Sequence, residues 1–225
     1  MTLPLVRLLQ LASPALPVGA YTYSQGLEWA VEQGTIKDEA GALQWIGDLL
    51  RFNLARFEAP WLVHFMAAWR GDDDHALHAL EAEFVASRES AELRAETLQM
   101  GHSMKRLLDE LPDFPPAPKT RLRDFPVASF PLAWSAAATA WEIPVADAVG
   151  AYLWSWAENQ VMAAIKAVPL GQAAGQRLLA ALGGEIPALA ATAITLPLPD
   201  CSNFAPGFAI ACARHETQYS RLFRS

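Results

Sequence analysis

Apolar residues along this chain recur at intervals of three and four, and β-branched residues never cluster, so the pattern predicts helices and essentially no strand. Leu5, Leu8, Leu9 and Ala12 follow the i, i+3, i+4, i+7 rule, and Pro14 ends that first helix. After the loop "SPALPVGA", Ser24 is placed to cap a short helix in "SQGLEWAVEQG", closed by Gly34. A helix from about Asp38 to Ala55 follows, with Leu43, Ile46, Leu50, Leu54 and Phe57 on its core side, and Pro60 opens another towards Trp69. Gly71 and Asp72 to Asp74 make a turn and a helix start. The next helical pattern runs to about Leu111, with or without a break near Ser87. "LPDFPPAPK" then predicts an extended connector over about 112–124.

The second half begins with a buried helix expected over Phe125–Trp141. Pro144 opens a longer one through about Val168, with Val145, Val149, Tyr152 and Trp156 facing the core. Pro169 and Gly171 stop it, two further helical stretches lie around Gln172–Leu182 and Ile186–Ile194, and "LPLPDCSNFAPG" leads into a C-terminal tail of about 207–225. With no internal repeat and no composition break, the expectation is an all-α, single-domain multi-helix bundle over residues 1–225.

Composition narrows the function classes. Of 225 residues 52% are hydrophobic, enough for a sizeable core. A net charge of -7 argues against nucleic acid or an anionic membrane as partner. Cys201 and Cys212 lack CxxC spacing and there is no His/Cys array, which fits a reducing cytoplasm and no structural zinc. The opening residues lack a basic n-region and are interrupted by Arg7 and Gln10, so they read as an amphipathic helix and not a leader. The uncharged run Phe125–Trp141 is short for a membrane span and carries Pro126 and Pro131.

Candidate chemistry is sparse. "GQAAGQ" (171–176) has the glycines of a phosphate loop, but it lacks the Lys-Ser/Thr pair and follows a helix, so it reads as a turn needing close backbone approach. His75 and His78 beside Asp72 to Asp74 have the residue types of a surface metal site, against the plainer reading of a solvated helix start. No G-x-S-x-G pattern occurs, and "SRESAELRAE" alternates Arg and Glu as an exposed or inter-helix charge lattice does. The expectation is therefore no catalytic residue, no metal ligand and no cofactor.

Polar residues in apolar surroundings remain: Glu28 among Tyr21, Tyr23 and Trp29, and Lys166 in a charge-free run, where a lysine either snorkels or serves recognition. The tail "RHETQYSRLFRS" raises a question of magnitude. Ordering its twelve residues costs roughly 12–24 kcal/mol of backbone entropy, whereas burying Tyr219, Leu222 and Phe223 returns about 5–9 kcal/mol. The i, i+3, i+4 spacing of those three suggests a short amphipathic helix, with Arg214, Arg221 and Arg224 available to carboxylates. Docking on a partner is the preferred reading, and docking on the chain's own acidic surface is the alternative.

Four segments, "LLQLASPALPVGAYTYSQGLEWAVEQG", "SRESAELRAETLQMG", "AAIKAVPLGQAAGQRLL" and the terminal "RHETQYSRLFRS", occur in the order of one family across nearly the whole chain, which resembles the urease accessory protein UreF family. Two departures stand out: Ser129 where many relatives carry histidine, and Ala209 where many carry aspartate. The resemblance implies an all-α, cytoplasmic, homodimeric scaffold without enzymatic activity that binds UreD (also called UreH), recruits the GTPase UreG and helps deliver nickel to apo-urease. Carried over by position, it implies that Arg214, His215, Glu216, Tyr219, Arg221, Leu222 and Phe223 order against UreD. It likewise implies that Glu28 and Lys166 serve UreG or complex integrity, unless their opposite charges simply pair. Two other roles stay open: a regulator of the UreG GTPase acting through an arginine such as Arg214 or Arg221, and a nickel carrier using His75 and His78.

Overall fold

Residues 2–225 of the computed structural model are described, and among them the chain forms eleven α-helices and no strand. The helices are α1 (Leu3–Leu11), α2 (Leu27–Glu32), α3 (Glu39–Leu49), α4 (Glu58–Arg70), α5 (Asp74–Ala86), α6 (Ala91–Glu110), α7 (Pro116–Arg123), α8 (Phe130–Ala140), α9 (Val145–Ala167), α10 (Gln172–Thr195) and α11 (Pro206–His215). The all-α expectation holds.

At the centre lies α8. Every residue from Pro131 to Ala138 is buried, because α4 and α6 cover it on two sides and α7 and α1 close the rest. Ser129 caps it by accepting from the Leu132 N–H, so this helix starts five residues later than the apolar run suggested. Gly101 lets α6 press against that cap: a Cβ there would lie 1.9 Å from the Ala128 carbonyl oxygen. Trp61, Phe65 and Phe84 extend the core as tilted and edge-on aromatic pairs with centroids about 6 Å apart.

α9 and α10 form an antiparallel hairpin, as the pairings Gly175 with Ile165, Gly183 with Trp154, and Ile186 with Gly150 show. The sequence predicts two stretches here, yet α10 is continuous through Pro187. At the expected break Gly183, Gly184 and Pro187 cost about 5 kcal/mol of propensity, while burying Leu178, Leu179, Leu182 and Ile186 returns roughly 6–12 kcal/mol. Packing prevails. By length and composition α10 is also apolar enough to cross a membrane, but here it lies along α9, α4 and α3.

Three further differences have physical causes. The connector about 112–124 is not extended throughout, since Pro115 and Pro116 stand at a helix start, where proline fits, and α7 follows. The helix expected to reach Ala55 passes at Leu50–Leu54 into a π-turn, after Asp38 caps α3 through Gly41 N–H. In α1 the buried side is Leu11 with half-buried Leu8 and Arg7 over the Trp141 ring, while Leu5 and Leu9 face outward.

Candidate functional site

The C-terminal segment is docked on its own chain, and the chemistry of the molecule converges there. α11 rests on Leu49 and Leu93 through Phe208 and Cys212. It meets the turn before α2 at Gly26, where a φ of 74° favours glycine and a Cβ would lie only 3.0 Å from the Cys212 main-chain nitrogen. Gly26 stands at the start of α2, while Ser24 Oγ accepts the Glu28 N–H of its first turn at a long 3.4 Å and donates to the Ser225 carbonyl at 2.6 Å.

His215, the last residue of α11, is fully buried. Its Nδ1 lies 2.7 Å from Glu92 Oε2 on α6, and its Nε2 lies 3.3 Å from Glu28 Oε2 on α2. Both ring nitrogens thus face carboxylate oxygens. Glu28 then accepts the main-chain N–H of Leu222 at 2.7 Å and of Phe223 at 3.1 Å. One buried carboxylate thereby joins the end of α11 to the end of the chain.

The last residues lie in a non-helical path across the same turn. Arg224 N–H donates to Thr22 O, and Ser225 O accepts from Ser24 N, Gln25 N and Ser24 Oγ at 2.6–3.0 Å. Ser225 Oγ donates to Glu96 Oε2 at 2.9 Å, while Gln25 donates to Glu96 Oε1 and accepts from Trp156 Nε1. Burial, with Glu58 adding to it, pushes the Glu96 carboxyl up to about 7 against hydrogen bonds from Gln25 and Ser225. Arg221 pairs with Glu92 at 2.8 Å, and Glu216 accepts the Ala91 N–H at the start of α6, where a carboxylate also suits the helix dipole.

These bonds resolve the entropy deficit. Apolar burial in the tail is limited to Phe223, since Tyr219 is fully exposed and Leu222 is 71% exposed. Main-chain and charge-assisted bonds to Glu28, Glu92, Glu96 and the Ser24–Gln25 backbone supply what the side chains do not. The amphipathic helix expected at Tyr219–Phe223 is absent because Glu28 takes the N–H groups of Leu222 and Phe223, which hold that stretch open along the turn.

Lys166 does not pair with Glu28. It stands exposed with its Nζ 5.7 Å above the Phe223 ring, a cation-π contact that covers the buried tail residue. Arg214 is exposed and makes no ion pair among the described residues. The histidines and aspartates of the other cluster point to separate tasks: Arg121 holds Asp72 and Asp74, and His78 stacks on Phe125 at 4.2 Å. Among the described residues no group of three His, Cys, Asp or Glu side chains converges as a metal site.

Sequence reasoning missed Glu92, Glu96 and Gln25, and read Ser24 only as a helix cap. Beside them, Gln25 and Glu96 help line a cavity of about 200 Å³ between α6, α9 and residues 11–21. At its floor the Tyr152 hydroxyl donates to Glu58 at 2.8 Å, and Glu58 pairs at 2.7 Å with Arg88, whose guanidinium covers Phe84. Burial, with Glu58 adding to it, holds the Tyr152 hydroxyl well above its ordinary value. Ser129, the departure from histidine, donates through its N–H and Oγ to buried Glu81, each at 2.6 Å, so the position keeps a structural use.

This is an all-α bundle in which one cluster of buried polar groups holds a chain segment in place. The chain belongs to the UreF family: the UreF family model matches residues 36–183. It is 63% identical, over 99% of its length and 96% of the relative, to the urease accessory protein UreF of Azoarcus sp. (strain BH72). Identity is also 63% to the protein of that name from Dechloromonas aromatica (strain RCB), over 99% of this chain and 98% of the relative. The bifunctional urease accessory protein UreEF of Bordetella bronchiseptica matches 98% of this chain at 48% identity, the match covering 52% of that longer protein.

Proposed function

We propose that this protein is a non-catalytic accessory protein of urease maturation that acts as a cytoplasmic, homodimeric scaffold. It binds UreD/UreH and recruits the GTPase UreG so that nickel reaches apo-urease. The family and the names of its relatives support the urease accessory role, and the relative that fuses UreF to a further accessory unit supports work inside an assembly. The observation that carries the partner assignment is the docked tail. Its main chain is fixed by Glu28 while Tyr219 and Leu222 point to solvent, so that a flexible end becomes a rigid apolar and cationic ridge. Preorganisation of this kind lowers the entropic cost of binding, and aromatic and arginine side chains suit interface anchors.

On this reading Glu28, His215, Glu216, Arg221 and Phe223 act by shaping the segment, while Tyr219, Leu222 and Arg214 meet the partner. Lys166 acts through Phe223. Co-purification of UreD with the full chain and with the Tyr219→Ala/Leu222→Ala variant tests this. Both residues are exposed, so helicity should persist while UreD recovery drops. Undiminished recovery from the folded variant would move the interface elsewhere.

The unpaired, exposed Arg214 favours a second reading, in which it reaches the UreG nucleotide site and stabilises transition-state charge. GTP turnover by UreG would then rise with this protein and fall back with Arg214→Ala. A turnover unaffected by the protein excludes it.

A further inference from the structure

A local excess of positive charge lies away from the tail, in the cleft between α6 and α7. His102, Lys105, Arg106 and Asp109 occupy one face of α6 and look across a cavity of about 260 Å³ at Lys119 and Arg123 of α7. Four permanent cations and an imidazole thus surround a space with one lining carboxylate, on a chain of net charge -7.

The cations are held in place. Lys119 Nζ donates to Asp109 O at 2.9 Å and to Leu111 O at 2.7 Å, the open carbonyls at the end of α6. Arg123 is tied to Asp109, and Lys105 Nζ to the Phe125 carbonyl. An ammonium has three donors, so both lysines keep at least one free. Asp109 already serves Arg123, and the nearest carboxylate to Arg106 is Glu110 at 3.7 Å, a largely exposed pair of little weight. Lys105 has no carboxylate of its own, and burial pulls its ammonium below the ordinary lysine value. A half-buried ammonium with only a carbonyl for company, among further cations, is a group that an anion stabilises.

We propose that the α6–α7 cleft is a binding site for a phosphate-class oxyanion, held by Lys105, Lys119 and Arg123 with Arg106 and His102 at the rim. A dianion suits it better than a single carboxylate, since the lining cations exceed the carboxylate by three. Lysine point charges beside a planar guanidinium fork are a common phosphate-binding set.

The test is a titration of the full ¹⁵N-labelled chain at constant ionic strength with inorganic phosphate, with O-phosphoserine as an ester, and with chloride as the screening control. Saturable shifts confined to residues 102–109 and 119–126, with a dissociation constant of about 1 mM or below, support the site. Tighter binding of phosphoserine identifies an esterified phosphate as the source, and tighter binding of inorganic phosphate identifies the free ion. Lys119→Ala, on the partly exposed side of the cleft, should weaken either anion about tenfold with helicity intact, and Lys105→Met should do so where it folds. Shifts that chloride reproduces, that fail to saturate, or that survive Lys119→Ala unchanged would overturn the proposal.

Discussion

Glu28 carries two main-chain N–H groups and an imidazole on one carboxylate, so removing it strands buried donors as well as deleting a charge. Each stranded donor costs about 1–3 kcal/mol, and Glu28→Ala should therefore free the tail while leaving the bundle folded. Hydrogen exchange is the check: amides 217–225 lose protection and those of α8 keep it. Glu96 adds a pH dependence. In the docked chain it takes its proton at about pH 7, pushed up chiefly by burial, whereas a carboxylate wetted by tail release returns towards 4.5. The docked state thus holds the extra proton between those values. Docking is strongest below the window, weakens as pH rises through it, and has lost this contribution above 7. Tail protection, corrected for intrinsic exchange, should fall between pH 4.5 and about 7, and Glu96→Gln should flatten the profile. An unchanged profile in that variant would assign the effect to another group. Glu28 was legible in the sequence because it stands among aromatics. Glu96 was not, because a stripe of alternating Arg and Glu looks the same whether water or a chain segment covers it.

At the scale of elements, spacing revealed where helices run and only partly what they face. The core side of α3 and of the π-turn that continues it was readable from Ile46, Leu50 and Leu54, all buried, because this stretch meets the core along one face. The phase of α1 was not, since its apolar residues go nearly all round and packing chooses among them. Proline misled in both directions: Pro116 starts α7, and Pro187 is tolerated on the exposed side of α10. Restoring the missing N–H there should help, so Pro187→Ala is expected to stabilise the protein by about 1–3 kcal/mol, read as a rise in Tm. Gly101→Ala should do the reverse. Its new methyl would overlap the Ala128 carbonyl and force α6 off the α8 cap, at a cost of about 1–3 kcal/mol or more, read as a lower Tm and denaturant midpoint.

For the whole molecule, the sequence favoured a partner over the chain's own acidic surface as the tail's destination, and in the chain by itself the tail takes the second, on Glu28 and Glu92. Entropy and side-chain burial were countable from the residues. The decisive bonds were not, because they join Glu28 to main chain almost two hundred positions away, and no local pattern encodes such a pairing. On the proposed function, tail docking and partner binding are successive uses of one segment, in a sequence whose first step prepares the second. The most direct test of that order is the affinity of UreD for the full chain and for Glu28→Ala, which leaves Tyr219, Leu222 and Arg214 in place and alters only what holds them. Loss of preorganisation should weaken UreD binding by about tenfold or more with helicity retained. Equal or tighter binding by the variant would contradict the account and make the docked tail a restraint that the partner must displace.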